Sequence, residues 1–104
     1  MTARRVLAVV PDLMDRSRLT AAADVEVRFA GPAALGAVDP ALVDLVVVDV
    51  ARPAVLAALA AAVIGVPVVG FGPHVEGDVL AEATAAGCDT VLPRSKFFAR
   101  WPAV

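Results

Sequence analysis

The chain carries one cysteine, one histidine and one lysine in 104 residues, and each scarcity removes a class of chemistry. A lone thiol, Cys88, makes no internal disulfide and no thiolate metal cluster, which points to a reducing, cytoplasmic setting. Its expected place is a small buried apolar position rather than a reactive one. A lone imidazole, His74, supplies neither a histidine metal site nor a triad without partners. No serine is placed beside a His-Asp pair and no Cys-His pairing suggests itself, so hydrolase chemistry lacks its parts. The net charge of −2 is too small to draw the whole molecule onto nucleic acid or an anionic membrane. Uninterrupted apolar runs are short as well. VLAVV near the start stops at Pro11-Asp12, too soon for a signal peptide. Residues 53–73 carry no charge, but Gly65-Val66-Pro67 cuts that stretch, so a helix followed by a buried strand is expected there and not a membrane span.

What the chain does have is apolar content: 60% of its residues are hydrophobic and 19% charged, the balance of a well-buried globule. A chain this long fits one domain, residues 1–104, with a single core. Three Val-rich runs, Val6 to Val10, Leu45 to Val50 and Val66 to Phe71, lack polar alternation and so predict strands covered on both faces. Val25 to Ala30 alternates with Glu26 and Arg28 like an edge strand, and Thr90 to Leu92 is a fifth candidate. Helical signals fill the gaps. Asp12 can cap a helix with Asp15 in its first turn, Pro53 suits a first helical position, and Asp78 precedes Val79, Leu80, Ala83 and Ala86 at helical spacing with Gly87 as a stop. The segment GPAALGAVDPALV is broken by Gly36 and Pro40 and has the weakest helical pattern. Alternating strands and helices predict an α/β fold: a five-stranded parallel sheet with helices on both faces, some of them shortened. In such sheets functional groups gather at the carboxyl ends of the strands. Those ends carry Pro11-Asp12, Asp49, the loop Gly70 to His74, and Arg94.

Four stretches in order, VLAVVPD, DLVVVDVARP, VPVVGFG and AAGCDTVLPRSKF, resemble the receiver domains of two-component response regulators, which have a flavodoxin-like fold. The resemblance implies a phospho-acceptor at Asp49 and a Mg²⁺ site that would include Asp12 and Asp49. It also exposes departures. Pro11 stands where the family has a second acid, Gly72 where it has a serine or threonine that binds the phosphoryl group, and Arg94-Ser95 where it has Lys-Pro. Val91 stands at the position of its aromatic switch. Mg²⁺ keeps several waters and needs few protein oxygens, so Asp12 and Asp49 remain a weak candidate pair. A planar guanidinium does not freely replace an ammonium. Each group also has a plainer role: Asp12 as a helix cap, Asp49 as a turn or capping residue paired with Arg94, and His74 as a polar loop residue.

The loop GFGPHVEG is not a dinucleotide fingerprint, because Val75 stands where the third glycine belongs and Pro73 removes an amide from any anion cradle. It is expected to mark a lost phosphate switch. The tail PRSKFFARWPAV sets Arg94, Lys96 and Arg100 among Phe97, Phe98 and Trp101. Such interleaving can bind single strands of nucleic acid, but packing or a protein interface through Phe97, Phe98, Arg100 and Trp101 is the expected use, with Phe97 and Trp101 sharing a helix face. The expectation is a degenerate receiver-like signalling domain, not an enzyme, that binds a protein partner or a second copy of itself through residues 77–101. Two alternatives stand beside it: a phospho-accepting regulator that uses Asp49 with Mg²⁺, and a binder of a small ligand or nucleotide at a crevice formed by Gly70, Gly72 and His74.

Overall fold

A computed structural model of the chain describes residues 3–73 and 77–104. Its elements are β1 (Arg4–Val9), α1 (Leu13–Thr20), β2 (Val25–Phe29), a 3₁₀ segment (Pro32–Ala37), β3 (Leu45–Asp49), α2 (Pro53–Ala60), β4 (Val68–Gly72), α3 (Gly77–Ala86), β5 (Thr90–Pro93) and α4 (Arg94–Arg100). The five strands form one sheet in the order β2-β1-β3-β4-β5, and every neighbouring pair is parallel.

The apolar runs form strands because each is sandwiched. All five positions of β3 and of β4 are buried, and fully burying one Val stabilises by about 1.5–3 kcal/mol. One face of the sheet packs Val6, Ala8, Val10, Leu45, Val47, Val69 and Phe71 against Leu19 of α1 and Phe97 of α4. The other packs Val9, Val46, Val48, Val50 and Val68 against Leu35, against Val55 and Leu59 of α2, and against Ala83 of α3. The alternating strand is an edge, as its pattern requires, with Glu26 and Arg28 exposed.

Local chemistry sets the helix boundaries. The Asp12 carboxylate accepts the Asp15 backbone N–H at 3.0 Å and caps α1. Pro53 opens α2, where its missing N–H costs nothing. Asp78 lies within the first turn of α3 rather than at its cap. The weak segment after Gly31 forms only a 3₁₀ turn from Pro32 to Ala37; Gly36 and Pro40 keep it from lengthening into an α-helix.

Two close fits hold the layers in register. A methyl group at Gly70 would stand 2.5 Å from Val50 Cγ1 and 3.0 Å from Cys88 Sγ, so only glycine lets β4 pass beneath those side chains. Burial pushes the Cys88 thiol up to about 11, the behaviour of an inert core cysteine. At the start of β1, Arg5 grips Asp44 through its backbone N–H at 2.8 Å and its guanidinium at 3.1 and 3.2 Å. That guanidinium holds the Asp44 carboxyl below its ordinary value. Among the described residues no helix is long and apolar enough to cross a membrane.

Candidate functional site at the strand ends

Strand register builds the rim. Val9 pairs with Val48, Asp49 with Phe71 and Gly72 with Pro93, so β1, β3, β4 and β5 stop nearly level. The residues that follow face one hollow of about 370 Å³, lined by Asp12, Asp15, Asp49, Ala51, Arg52, Gly72, Pro73 and Arg94. Asp12, Asp49, Gly72 and Arg94, expected from sequence to share a rim, line the same cavity. Asp15 and Arg52 join them, and neither was expected there.

Their pairing differs from expectation. Arg94, the first residue of α4, does not reach Asp49. Its Nη1 donates to Asp15 Oδ2 at 2.6 Å and its Nη2 to Asp15 Oδ1, a bidentate pair. Asp15 has no exposed surface, whereas the Arg94 side chain is 38% exposed. The same guanidinium lies 5.5 Å above the ring of Phe98, and Arg18 lies 5.2 Å from that ring. Asp49, 7% exposed, accepts the Ala51 N–H at 3.0 Å through Oδ1 and holds Arg52 Nε at 3.5 Å through Oδ2. The turn-residue role considered for Asp49 thus describes its contacts, with Arg52 in the place expected for Arg94. Three carboxylates and two guanidiniums line the cavity, a residual charge of one negative.

The donor set does not suit Mg²⁺. Asp12 gives one oxygen to the helix cap, Asp15 gives both to Arg94, and Asp49 is engaged at both of its oxygens. Among the described residues no three Asp, Glu, His or Cys side chains come together in a way that could hold a metal ion.

Other expected groups are placed elsewhere. Gly70 lies in mid-strand beneath Val50 and Cys88 and is no part of the crevice, because its close backbone approach serves packing. His74 lies outside the described residues. Phe97 is fully buried, stacked on Phe71 with 4.7 Å between centroids and 5.6 Å from Trp101. It is a core residue and offers a partner nothing. Phe98 and Trp101 are half-buried and Arg100 is exposed, with the Trp101 indole N–H donating to the Leu19 carbonyl at 2.9 Å. A larger hollow, about 680 Å³, opens at the opposite end of the sheet along Ile64 to Val68 and Ala86 to Asp89. Its one carboxylate, Asp89, accepts the Val68 N–H at 2.8 Å, which leaves that hollow without a free reactive group.

The chain is similar to a solved response regulator from Hahella chejuensis, which aligns over 98% of this chain and 97% of its own with a TM-score of 0.73 at 22% identity. This is the receiver fold. A CheY-like response regulator from Mesorhizobium loti matches over 95% of this chain and 92% of its own, with a TM-score of 0.63 at 16% identity. A response regulator in red light signaling of R. palustris matches over 94% and 85%, with a TM-score of 0.66 at 17% identity. No family model and no curated protein matches the chain. In this chain the guanidinium of Arg94 is bound to Asp15 of α1 and not to Asp49 at the end of β3.

Proposed function

We propose that this chain is a signalling module of the receiver fold that works by binding another protein or a second copy of itself, with phosphoryl transfer at Asp49 lost. One observation carries the reading: Arg94, the cation at the end of β5, is committed to Asp15 and does not reach Asp49. Phosphoryl transfer to a carboxylate needs concentrated positive charge over the transferred group. Gly72 offers no hydroxyl, and Arg52 is tied to Asp49 itself. The surface proposed for a partner is the edge of the sheet at β5 with α3 and α4 to either side, where Val79 and Leu80 of α3 are exposed and, at the other side, Arg100 is exposed with Phe98 and Trp101 half-buried. Exposed arginine next to aromatic side chains suits a protein interface.

The test is incubation with acetyl phosphate and MgCl₂ followed by intact-mass and peptide spectrometry. The expected result is an unmodified chain. Stoichiometric phosphate on Asp49 would overturn the reading in favour of a working regulator.

A further inference from the structure

At one side the sheet stops at β2, which pairs only with β1. The Asp24 carbonyl accepts the Arg4 N–H, and the Ala30 N–H donates to the Ala8 carbonyl. Even-numbered residues of this strand therefore turn their backbone groups toward β1, and Val25, Val27 and Phe29 turn theirs outward. Among the described residues no backbone group outside β1 meets that outward row, and an unpaired row is a template for another strand. Cover is thin on one face as well. The link from β2 to β3 holds only the 3₁₀ turn Pro32–Ala37, and Leu42, 58% exposed, lines a hollow of about 170 Å³ with Glu26 and Arg28. Both of those charged side chains are exposed, and neither has an ion-pair partner among the described residues.

We propose that β2 pairs antiparallel with β2 of a second copy of this chain, about a two-fold axis at Val27, so that two sheets join into one. The register follows from the strand itself. With Val27 opposite Val27, Val25 meets Phe29, and every outward N–H of one strand faces an outward C=O of the other. Glu26 then stands opposite Arg28 at the positions where an antiparallel pair brings side chains closest, and unlike charges directly opposite stabilise the pairing. Sliding the strands by one residue sets an outward backbone group against an inward one. Sliding them further sets Glu26 against Glu26 or Arg28 against Arg28, which repel. One strand that carries both signs two residues apart is complementary to itself, and the contact closes after two copies. Val25, Val27 and Phe29, half-buried in the single chain, gain apolar cover on the other face. A five-residue strand makes a small interface, so the dimer is a weak one. This edge lies across the sheet from β5, and the inference stands apart from the partner surface proposed above.

The test is sedimentation equilibrium at low salt on the wild-type chain, Glu26→Arg, Arg28→Glu and the swapped double variant Glu26→Arg/Arg28→Glu, with circular dichroism to show that each is folded. The wild-type chain is expected to dimerise reversibly as its concentration rises. Each single variant sets like charges opposite one another at both cross-strand pairs and is expected to dimerise about tenfold or more weakly. An equimolar mixture of the two single variants restores Arg opposite Glu on both sides and is expected to regain the wild-type dissociation constant, as is the swapped variant alone. Three results would overturn the proposal: a wild-type chain that stays monomeric up to about 1 mM, single variants that dimerise like wild type, or a mixture that fails to recover. A dimer lost in Leu80→Asp and kept in Glu26→Arg would place the contact at the β5 edge, which overturns this inference and leaves the proposed function standing. Phosphate on Asp49 in a chain that dimerises as described would remove the proposed function and leave this inference intact.

Discussion

The Asp15–Arg94 pair is lopsided, and the asymmetry predicts which half is dearer to lose. Asp15 is wholly enclosed while 38% of the Arg94 side chain meets solvent. Truncating Arg94 to Met strands an ionised carboxylate with no route to water. Breaking a buried pair in this way costs about 3–5 kcal/mol; because solvent already reaches the guanidinium side, the lower end applies. For a domain of this size about 3 kcal/mol lowers the melting temperature by roughly 12 °C or more. Changing Asp15 to Asn leaves an arginine that can turn outward and a neutral amide that can still accept one hydrogen bond, at about 1–2 kcal/mol. Replacing both, as Asp15→Leu with Arg94→Met, removes the charges together and is expected to fall within about 1 kcal/mol of wild type. Urea unfolding of the four proteins at low cation concentration measures all three quantities. If Asp15→Asn costs as much as or more than Arg94→Met, burial of the carboxylate does not dominate and the reasoning about the rim is wrong.

Gly70→Ala should destabilise by about 1–3 kcal/mol through overpacking, since the new methyl meets Val50 at 2.5 Å; urea melts should show partial recovery when Val50→Ala is added. Phe97→Ala should lose about 3–5 kcal/mol, while Phe98→Ala, half-buried, should lose less, and equal losses in thermal melts would contradict the core placement of Phe97. Cys88 should resist iodoacetamide in the native state at neutral pH. Its folded value of about 11 lies above the ordinary 9.0, so the stability linked to the neutral thiol is intact below pH 9.0 and is lost as pH rises toward 11. Cys88→Ala should flatten that alkaline limb of a stability-versus-pH curve.

Much of the architecture is written in local pattern. Unbroken runs such as Leu45 to Val48 permit only a doubly covered strand, and Glu26 and Arg28 mark an edge because only an edge tolerates charge every second residue. The errors arise where pairing partners decide. Arg4 and Arg5 extend β1 because they sit opposite Val25 and Glu26 in register, a fact absent from their own polarity. The rim was readable as a set of strand ends but not as a set of ion pairs. Asp15 looked like an ordinary first-turn acid, and its partner lies 79 residues away. A buried position on the inner side of α1, one turn before Leu19, was the available signal. Asp49 and Arg52, three apart across a turn, could have been paired by spacing alone. In the tail, alternating basic and aromatic residues suggested a surface, yet the helix turns Phe97 into the core stack and leaves Phe98 to seat the two arginines.

Three long-range contacts hold α4 and the segment that follows it. Arg94 reaches Asp15 at the first turn of α1, Trp101 reaches the Leu19 carbonyl at its last turn, and Arg4 from β1 holds the carbonyls of Pro102 and Val104 at 3.1 and 3.0 Å. A seven-residue helix has little stability of its own, so these straps and the Phe97 stack keep it on the sheet. A switch requires an element with two arrangements of similar energy and an input that favours one of them. Here the cation that an input would have to displace is covalently part of α4, and leaving Asp15 would expose the carboxylate penalty estimated above. The straps therefore bias α4 toward one seat on the sheet, held at both ends of α1 and by β1.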